Sequence, residues 1–547
     1  MGMKYPLKGM KNRLYKIALI VAYAAAGAGA ASAQQKCLND GRLEAIKTQI
    51  AAGSSASAAN TTLTLELTAY SKELTDALNK SQILEPQSEK YKSQLREIET
   101  KIAQRICSIL NSDGWPKKSL VGAEGSKAFM YLIGRALPLK MQVEIYPLVV
   151  EAFTRGEIDP DDVLASYVDR LRLAVGRKQL YGTQVSIKDG FLVMAPIELA
   201  GEVDKRRSAF KMSPLRTYER RLELTYKMPL IRSVMEPTRG SEQQELQTTN
   251  TGSPDTLGQA AEEAPVINVE TAFVSIDVNI PDTADAASAN LQKADFRLLD
   301  NGKPVEIETF VKADAPFDIV LLLDLSGSTS DKVGLIKKTT RRFVELKRPA
   351  DRVAVIAFDD DQTVVSELEA VQAVLLDRIK KIEGRGGSAI WEAVKFGLDM
   401  LEKKSEKGRR KAVVLMSDGA DNMLTFYPTL TQGVGFADLV EQIQNSNVSV
   451  FPIYLDTEGP GSARVYENAR KTLAHMADQS GGTVYTAKKL DDLIGIYDRV
   501  LKGVGTTYTI GFTPDVDAGD RKWRTLKVEI PSRPTLKLRH RPGYFTK

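Results

Sequence analysis

The chain has 547 residues, 43% of them hydrophobic and 27% charged, a composition that indicates neither a disordered nor a membrane-embedded protein. This length is too great for a single hydrophobic core, so two to four domains are expected. The formal net charge of +5 does not indicate an anionic partner, because the excess of positive charge lies in the first segment of the chain.

Residues 1–33 have the three parts of a secretory signal peptide. Basic residues precede the apolar run "IALIVAYAAAGAGAA", and the small-residue pattern Ala31-Ser32-Ala33 follows it. An uncleaved anchor is the alternative, but this run is short for a bilayer span and contains two glycines. Cleavage removes five positive charges and leaves 70 basic and 70 acidic residues, so no nucleic-acid partner is expected. The mature protein is predicted to be periplasmic, on the cell surface or secreted, without a transmembrane segment.

The chain contains only two cysteines and two histidines. In an oxidising compartment Cys37 and Cys107 can form one intramolecular disulfide, and two unpaired buried thiols remain the alternative. His475 and His540 lie far apart in the sequence, which excludes a His-rich zinc site and disfavours a Ser-His-Asp triad. We expect His475 on the surface of a helix.

Residues 36–235 are predicted to form a mostly helical domain. In "YKSQLREIETKIAQRICSIL" the apolar residues recur at the spacing of one helix face: Tyr91, Leu95, Ile98, Ile102, Ile106 and Leu110. Further helices are expected around 123–136, 140–155 and 160–176. Residues 239–265 contain no aromatic residue and are rich in Gln, Thr, Ser, Gly and Glu, which predicts an interdomain linker.

After the linker, apolar and polar residues alternate. This pattern predicts a strand within 266–280 and a hairpin that turns at Asn301-Gly302. The tail of the chain returns to the same alternation, and its three strands alone would make a thin sheet. We therefore expect 266–316 and 506–547 to pair into one discontinuous, β-sandwich-like domain.

Residues 317–505 alternate between apolar strands and amphipathic helices, which predicts a doubly wound, mostly parallel, Rossmann-like α/β domain. The predicted strands are 318–324, 352–358, 363–368, 411–417, 448–455 and 483–486. The predicted helices are near 332–347, 371–383, 388–404, 436–446, 465–479 and 490–502. The connection between the second and third strands is too short for a crossover helix, so they should form an antiparallel hairpin at an edge of the sheet.

Three segments of this region supply oxygen ligands, two of them at the carboxyl ends of predicted strands and one at the start of a predicted helix. "DIVLLLDLSGSTSDK" supplies Asp324, Ser326 and Ser328, "GRGGSAIWEAV" supplies Ser388, and "KAVVLMSDGADN" supplies Asp418. In an open α/β sheet such ends meet where the winding direction reverses. Two carboxylates and three hydroxyls suit Mg²⁺; Mn²⁺ fits almost as well, and Ca²⁺ would need more oxygens. So few anionic ligands would leave one coordination position for a carboxylate of another protein.

The motifs D-L-S-G-S, G-G-S and S-D-G, in this order, resemble the von Willebrand factor A domain and its metal-ion-dependent adhesion site. The resemblance implies that Ser326, Ser328 and Ser388 bind the cation directly, and that Asp324 and Asp418 do so directly or through water. The family usually has Thr at position 388. Serine keeps the hydroxyl but lacks the β-branch that restricts χ1, so the affinity for the cation, rather than its identity, is expected to differ. The flanking strands resemble those of exported bacterial proteins with this domain.

The G-W-P, D-R, Q-x-Y-G-T-Q and R-R elements within roughly 95–220 resemble an uncharacterised bacterial helical domain of unknown function. Relatives often carry Gln-His-Ala-Asp where this chain has "IGRALPL" at 133–139. The polar residues of this region could line a pocket for an anionic or peptide-like ligand, or they could form an internal hydrogen-bond network. These residues are Asp169, Arg170, Gln179, Tyr181, Gln184, Arg206 and Arg207.

The leading hypothesis is an exported, non-enzymatic binding or adhesion protein that uses its divalent cation to bind an acidic group of a protein partner. The first alternative is a hydrolase-like enzyme with its chemistry in the helical domain and the C-terminal half as an anchoring module. A third hypothesis is an α/β scaffold whose metal site is vestigial. The acidic run Asp359-Asp360-Asp361 could be a second cation site, but a solvated hairpin tip explains it better.

Overall fold

A computed structural model describes most of the chain, which divides into two compact units. The helical unit comprises residues 1–188 and 192–226, and the C-terminal unit comprises 189–191 and 227–547. The described residues are 37–52, 60–84, 88–233, 273–280, 291–311, 315–326, 333–380, 388–406, 408–417, 433–455, 463–488, 492–515 and 523–546. The predicted signal peptide and linker, together with Ser328 and Asp418, lie outside these residues. The domain boundaries proposed from the sequence stay predictions.

The helical unit contains the four helices expected from the sequence and four further α-helices among the described residues. They are α1 (Asp40–Ala51), α2 (Thr61–Leu78), α3 (Glu89–Ser112), α4 (Lys118–Ala136), α5 (Leu139–Thr154), α6 (Asp162–Ala174), α7 (Val203–Ala209) and α8 (Leu215–Tyr226), with short strands β1 (Val185–Lys188) and β2 (Phe191–Met194) before α7. The apolar stripe of α3 contributes Ile102, Ile106 and Leu110 to the core of this unit, each at most 1% exposed. Asp161 caps α6 by accepting hydrogen bonds from Val163 N and Leu164 N, which satisfies two otherwise unpaired donors.

Cys37 and Cys107 form a disulfide, with their Cα atoms 5.3 Å apart. The bridge joins the segment before α1 to the C-terminal part of α3. The pairing expected for an exported protein is therefore present, and the alternative of two unpaired thiols is wrong.

The C-terminal unit begins, among the described residues, with five short strands, three of which pair with strands from the end of the chain. The first strands are β3 (Leu230–Arg232), β4 (Val274–Asn279), β5 (Arg297–Asp300), β6 (Lys303–Val305) and β7 (Thr309–Val311). The α/β region follows with β8 (Phe317–Asp324), α9 (Val333–Leu346), β9 (Arg352–Phe358), β10 (Gln362–Glu369), α10 (Gln372–Ile379), α11 (Ile390–Lys404), β11 (Arg410–Ser417), α12 (Phe436–Asn445), β12 (Val448–Leu455), α13 (Ala463–Ser480), β13 (Tyr485–Ala487) and α14 (Asp492–Gly505). The last strands are β14 (Thr507–Phe512), β15 (Trp523–Glu529) and β16 (Gly543–Phe545).

Strands from both sides of the α/β region pair as predicted. β14 pairs antiparallel with β4 and with β7, and β15 pairs antiparallel with β5 and β16. The two small sheets share one apolar core, which includes Ile276, Leu298, Ile510 and Val528. Because the two sheets cover each other's apolar faces, neither group of strands needs another layer of structure.

The large sheet has the strand order β10-β9-β8-β11-β12-β13. All neighbouring pairs are parallel except β9 and β10, which form the predicted antiparallel hairpin at one edge. The chain winds from β8 to β9 on one side and later to β11 on the other side, so the winding reverses between β8 and β11. Within the described part of the chain, no helix has the length and apolar character needed to cross a membrane.

Candidate functional site

Asp324 lies at the carboxyl end of β8, next to the point where the winding reverses. Every residue of β8 is buried, because helices cover both faces of a parallel sheet of this kind. In the parallel register Met416 of β11 is opposite Leu323, so the next residues, Ser417 and Asp324, end neighbouring strands side by side. The sheet thus holds a carboxylate and a hydroxyl at the same edge.

Hydrogen bonds from three separate segments reach the Asp324 carboxylate. Ser326 N donates to Oδ1 at 3.0 Å, the Ser388 hydroxyl donates to Oδ2 at 3.0 Å, and the Ser417 hydroxyl donates to Oδ2 at 2.6 Å. All four residues are fully buried. The structure therefore brings together three of the five predicted ligands, Asp324, Ser326 and Ser388; the other two, Ser328 and Asp418, lie outside the described residues.

Backbone hydrogen bonds hold these segments in register. Leu325 N donates to the Phe358 carbonyl at 2.9 Å, and Ala389 N donates to the Asp359 carbonyl at 2.8 Å. The chain around Ser388 and the chain after Asp324 are thus both anchored to the end of β9.

Ser417 was missed by the sequence reasoning, which named only Asp418 in the S-D-G motif. The signal was present, because Ser417 precedes that aspartate and ends an apolar strand. What the sequence could not give was the parallel register that sets its hydroxyl beside Asp324.

The donor chemistry of this cluster fits a hard cation. A serine hydroxyl has one proton and two lone pairs, so a hydroxyl that donates its proton to Asp324 still has lone pairs for a metal ion. Carboxylate and hydroxyl oxygens are the ligand type that Mg²⁺ and Mn²⁺ prefer. Among the described residues, no group of three or more His, Cys, Asp or Glu side chains could hold a metal ion. The described part of the site is therefore rich in hydroxyls and carries one carboxylate.

The acidic run after β9 has the features of a hairpin tip. Asp359 N donates to the Asp361 carbonyl, and Asp361 N donates to the Asp359 carboxylate, both at about 3 Å. Asp360 and Asp361 are exposed to solvent. These turn bonds fit the hairpin tip expected from the sequence.

In the helical unit, Asp169 is the centre of an internal network. Its fully buried carboxylate accepts hydrogen bonds from Leu180 N at 2.6 Å, from Tyr181 N, and from both the backbone and the hydroxyl of Thr183. Burial raises the pKa of Asp169, although these hydrogen bonds oppose the rise. The carboxylate therefore holds the loop after α6 in place.

The other polar side chains of this region bond to the same loop. Arg206 donates to the carbonyls of Leu180 and Glu198, and Arg207 donates to those of Tyr181 and Ser213. The side-chain amide of Gln179 donates from Nε2 to the Ala195 carbonyl and accepts at Oε1 from Gln184 N. Six of the seven residues considered for a pocket therefore form an internal hydrogen-bond network, which was the alternative to a ligand pocket. Arg170 differs, since it donates to the Gly134 carbonyl at 2.8 Å.

Two protein families match different parts of the chain. The model of the von Willebrand factor type A domain matches residues 318–499, and that of a family of unknown function (DUF6624) matches residues 63–230. Both resemblances predicted from the motifs are thereby confirmed. The metal-ion-dependent adhesion site with its ligands, and export of the chain, stay predictions.

Similar proteins cover only parts of this chain. An uncharacterised protein of Synechocystis sp. is 31% identical over 134 residues, which are 22% of this chain and 32% of that protein. The chain spans about a third or less of the curated relatives it matches. The von Willebrand factor domain of the type V pilus tip protein Mfa5 from Porphyromonas gingivalis is 14% identical, with a TM-score of 0.28, and covers 34% of this chain and 94% of that one.

A mussel byssus structure, proximal thread matrix protein 1 with a zinc-occupied metal-ion-dependent adhesion site motif, is 18% identical with a TM-score of 0.30. The match covers 38% of this chain and 50% of that one. At these identities and TM-scores, nothing about a ligand or a partner of this chain follows.

Proposed function

Residues 318–499 of this chain form a von Willebrand factor type A domain, and on that premise we propose that the chain is an exported, cation-dependent binding protein. Mg²⁺ is the cation we propose first, with Mn²⁺ or Ca²⁺ as substitutes. Ser326, Ser328 and Ser388 would bind it directly, and Asp324 and Asp418 directly or through water. When bound, the cation would supply an electrophilic position that an acidic side chain of a protein partner can fill.

One observation supports this proposal above the others: hydroxyls from two distant segments, Ser388 and Ser417, converge on one oxygen of the buried Asp324 carboxylate. The bonds turn both hydroxyl protons toward the carboxylate and leave lone pairs for a cation. Uncharged hydroxyls neutralise less of the cation's charge than carboxylates would. A partner's carboxylate would therefore be attracted to the remaining charge.

The choice of partner follows from charge. Without residues 1–33 the chain has equal numbers of basic and acidic residues, so its overall field favours neither nucleic acid nor an anionic membrane. A protein with an exposed Asp or Glu is the partner class that fits. The predicted signal peptide places the interaction in the periplasm, on the cell surface or outside the cell.

Asp324→Asn is expected to abolish Mg²⁺ binding measured by isothermal titration calorimetry, because the substitution removes the carboxylate charge while keeping an acceptor for the neighbouring donors. It should also abolish capture of the partner in a pull-down from the native envelope, as should EDTA with the unaltered protein. Asp360→Asn is the matched control, since Asp360 is an exposed carboxylate at the same edge of the sheet. Equal Mg²⁺ uptake by the parent, Asp324→Asn and Asp360→Asn would contradict the proposal.

Ser417→Ala is expected to weaken Mg²⁺ binding about tenfold, because the hydroxyl that orients Asp324 is lost. It should also lower the free energy of unfolding by about 1 kcal/mol. Ser449→Ala is the control, since Ser449 is also buried in this sheet and its hydroxyl has no hydrogen-bond partner in the described residues. If both variants bind Mg²⁺ as the parent does, Ser417 has no part in the site.

The enzyme hypothesis required a deep polar pocket at Tyr181 and Arg206. Arg206 instead donates to backbone carbonyls of the loop after α6, and the Tyr181 backbone bonds to Asp169 and Arg207. We therefore propose no reaction for the helical unit, and assign it the role of a second interaction module.

A further inference from the structure

A cavity of about 770 Å³ lies within the helical unit, away from the network around Asp169. Its wall includes one face of α3, the end of α4, the start of α5 and Arg170 of α6. The Cys37–Cys107 disulfide forms part of the same wall. A volume of this size is in the range of small-molecule sites, which bury most of their ligand.

The charges that line the cavity do not balance. Arg96, Arg135 and Arg170 contribute three positive charges, and Glu99 contributes the one negative charge. Among the described residues, no carboxylate lies within 4.0 Å of the guanidinium of Arg135 or Arg170, whereas Arg96 pairs at the surface with Glu89. Two arginines therefore face the cavity without a close ion-pair partner from the described chain.

The pKa values of Arg170 and Glu99 are shifted by burial and by the neighbouring charges. Burial lowers the pKa of Arg170, the nearby Arg135 lowers it further, and only Glu99 raises it. Burial raises the pKa of Glu99, against the opposing effect of Arg170 and Arg96. An anion between Arg135 and Arg170 would relieve their mutual repulsion.

Arg170 is held in place for such a contact. It donates from Nη1 to the Gly134 carbonyl at 2.8 Å, so its guanidinium is fixed by α4 while its remaining N–H groups are left for a ligand. The adjacent wall is apolar, with Ala103, Leu137 and Met141 beside the disulfide. The cavity thus has a cationic end and an apolar surface.

We propose that this cavity binds a small organic anion: Arg135 and Arg170 bind its carboxylate or phosphate group, and its apolar part packs against Met141, Leu137 and the disulfide. Guanidinium groups suit both oxyanions, because their planar fork donates two parallel hydrogen bonds to either. This site lies in the helical unit and does not depend on the cation site of the other unit.

The test is calorimetric titration of the full mature chain, in EDTA, with octanoate, octyl phosphate, octanol, octylamine and inorganic phosphate. EDTA removes the cation site from the measurement, so this result and that of the Mg²⁺ titration are independent. At least one of the two octyl anions should bind, and more tightly than octanol; octylamine should not bind. The stronger of the two anions identifies the natural ligand as a carboxylate or a phosphate, and weaker binding of inorganic phosphate would confirm the contribution of the apolar wall.

Arg135→Gln should weaken binding of the octyl anion about tenfold or more, because it removes a charged hydrogen-bond donor. Arg135 is exposed, and its side chain forms no hydrogen bond with the described residues. The variant should therefore have the same free energy of unfolding as the parent. Arg177→Gln, which removes an exposed arginine outside the cavity, should bind like the parent. Absence of anion binding, equal affinity for octanol, or unchanged affinity in Arg135→Gln would overturn the proposal.

Discussion

Asp318→Ala is expected to lower the free energy of unfolding of the C-terminal unit by about 3 kcal/mol. Asp318 is a fully buried residue of β8, and its carboxylate accepts hydrogen bonds from Arg352 at 2.7 and 2.8 Å, from Arg409 at 2.6 Å and from Ser405 at 2.7 Å. Its removal leaves two guanidinium groups without their shared partner. We expect a loss of free energy at the lower end of the range for broken buried ion pairs. The reason is that Arg352 is 20% exposed and Arg409 is 14% exposed, so both can reach water.

The destabilisation caused by Asp318→Ala should decrease at low pH. Burial would raise the pKa of Asp318, but hydrogen bonds from Arg352, Ser405 and Arg409 outweigh it and hold the pKa below its ordinary value. A carboxyl with a lowered folded-state pKa stabilises the protein above its unfolded pKa of about 3.9, and this contribution is lost as the pH falls through the folded-state pKa. The difference between the parent and Asp318→Ala should thus be constant near neutral pH and shrink below about pH 4.

Hydrogen exchange in increasing urea, read from peptides that cover β8, measures this difference within the full chain. Glu406→Gln is the matched control, because Glu406 also pairs with Arg352 but is 66% exposed. Its loss should cost less than about 1 kcal/mol. Equal effects of the two substitutions would show that burial of Asp318 does not determine its contribution.

Reduction of the Cys37–Cys107 disulfide is expected to destabilise the helical unit by about 4 kcal/mol. The bridge closes a sequence separation of 70 residues, and a loop of that length restricts the unfolded chain by about this amount. The double substitution to serine should have the same effect without a reductant. Thiol titration of the unfolded, unreduced protein should find no reactive thiol.

The chain provides its own control for this experiment, because it has no cysteine other than Cys37 and Cys107. A reductant should therefore leave the exchange of β8 and β11 peptides unchanged while it speeds the exchange of α1 and α3. A change in the C-terminal unit of similar size would contradict the assignment of the effect to the disulfide.

The elements with strong patterns were predictable from the sequence. The continuous apolar runs of β8 and β11 indicate strands buried on both faces, and each ends where its run ends. The short connection between β9 and β10 allows only a hairpin, which is observed. The motifs around Asp324, Ser388 and Asp418 predicted a shared edge of the sheet, and the described part of that edge gathers Asp324, Ser326 and Ser388.

Other features depended on packing that no local pattern encodes. Ser417 reaches Asp324 because β11 lies beside β8 in parallel register, and register is set by the whole sheet. Tyr181 and Arg206 look like pocket residues in the sequence, but a buried polar group must find a partner. Here the Tyr181 backbone N–H donates to the Asp169 carboxylate, and the Arg206 guanidinium donates to the Leu180 carbonyl.

The sequence by itself determined the order of the main strands and helices, the two families that its parts resemble, and the type of atom at the candidate cation site. Only the tertiary structure decided which of the polar residues satisfy one another and which, like Arg135 and Arg170, face a cavity. The physical reason is that periodicity and motif spacing are local properties of the chain, whereas the pairing of buried charges depends on contacts between segments that are distant in sequence.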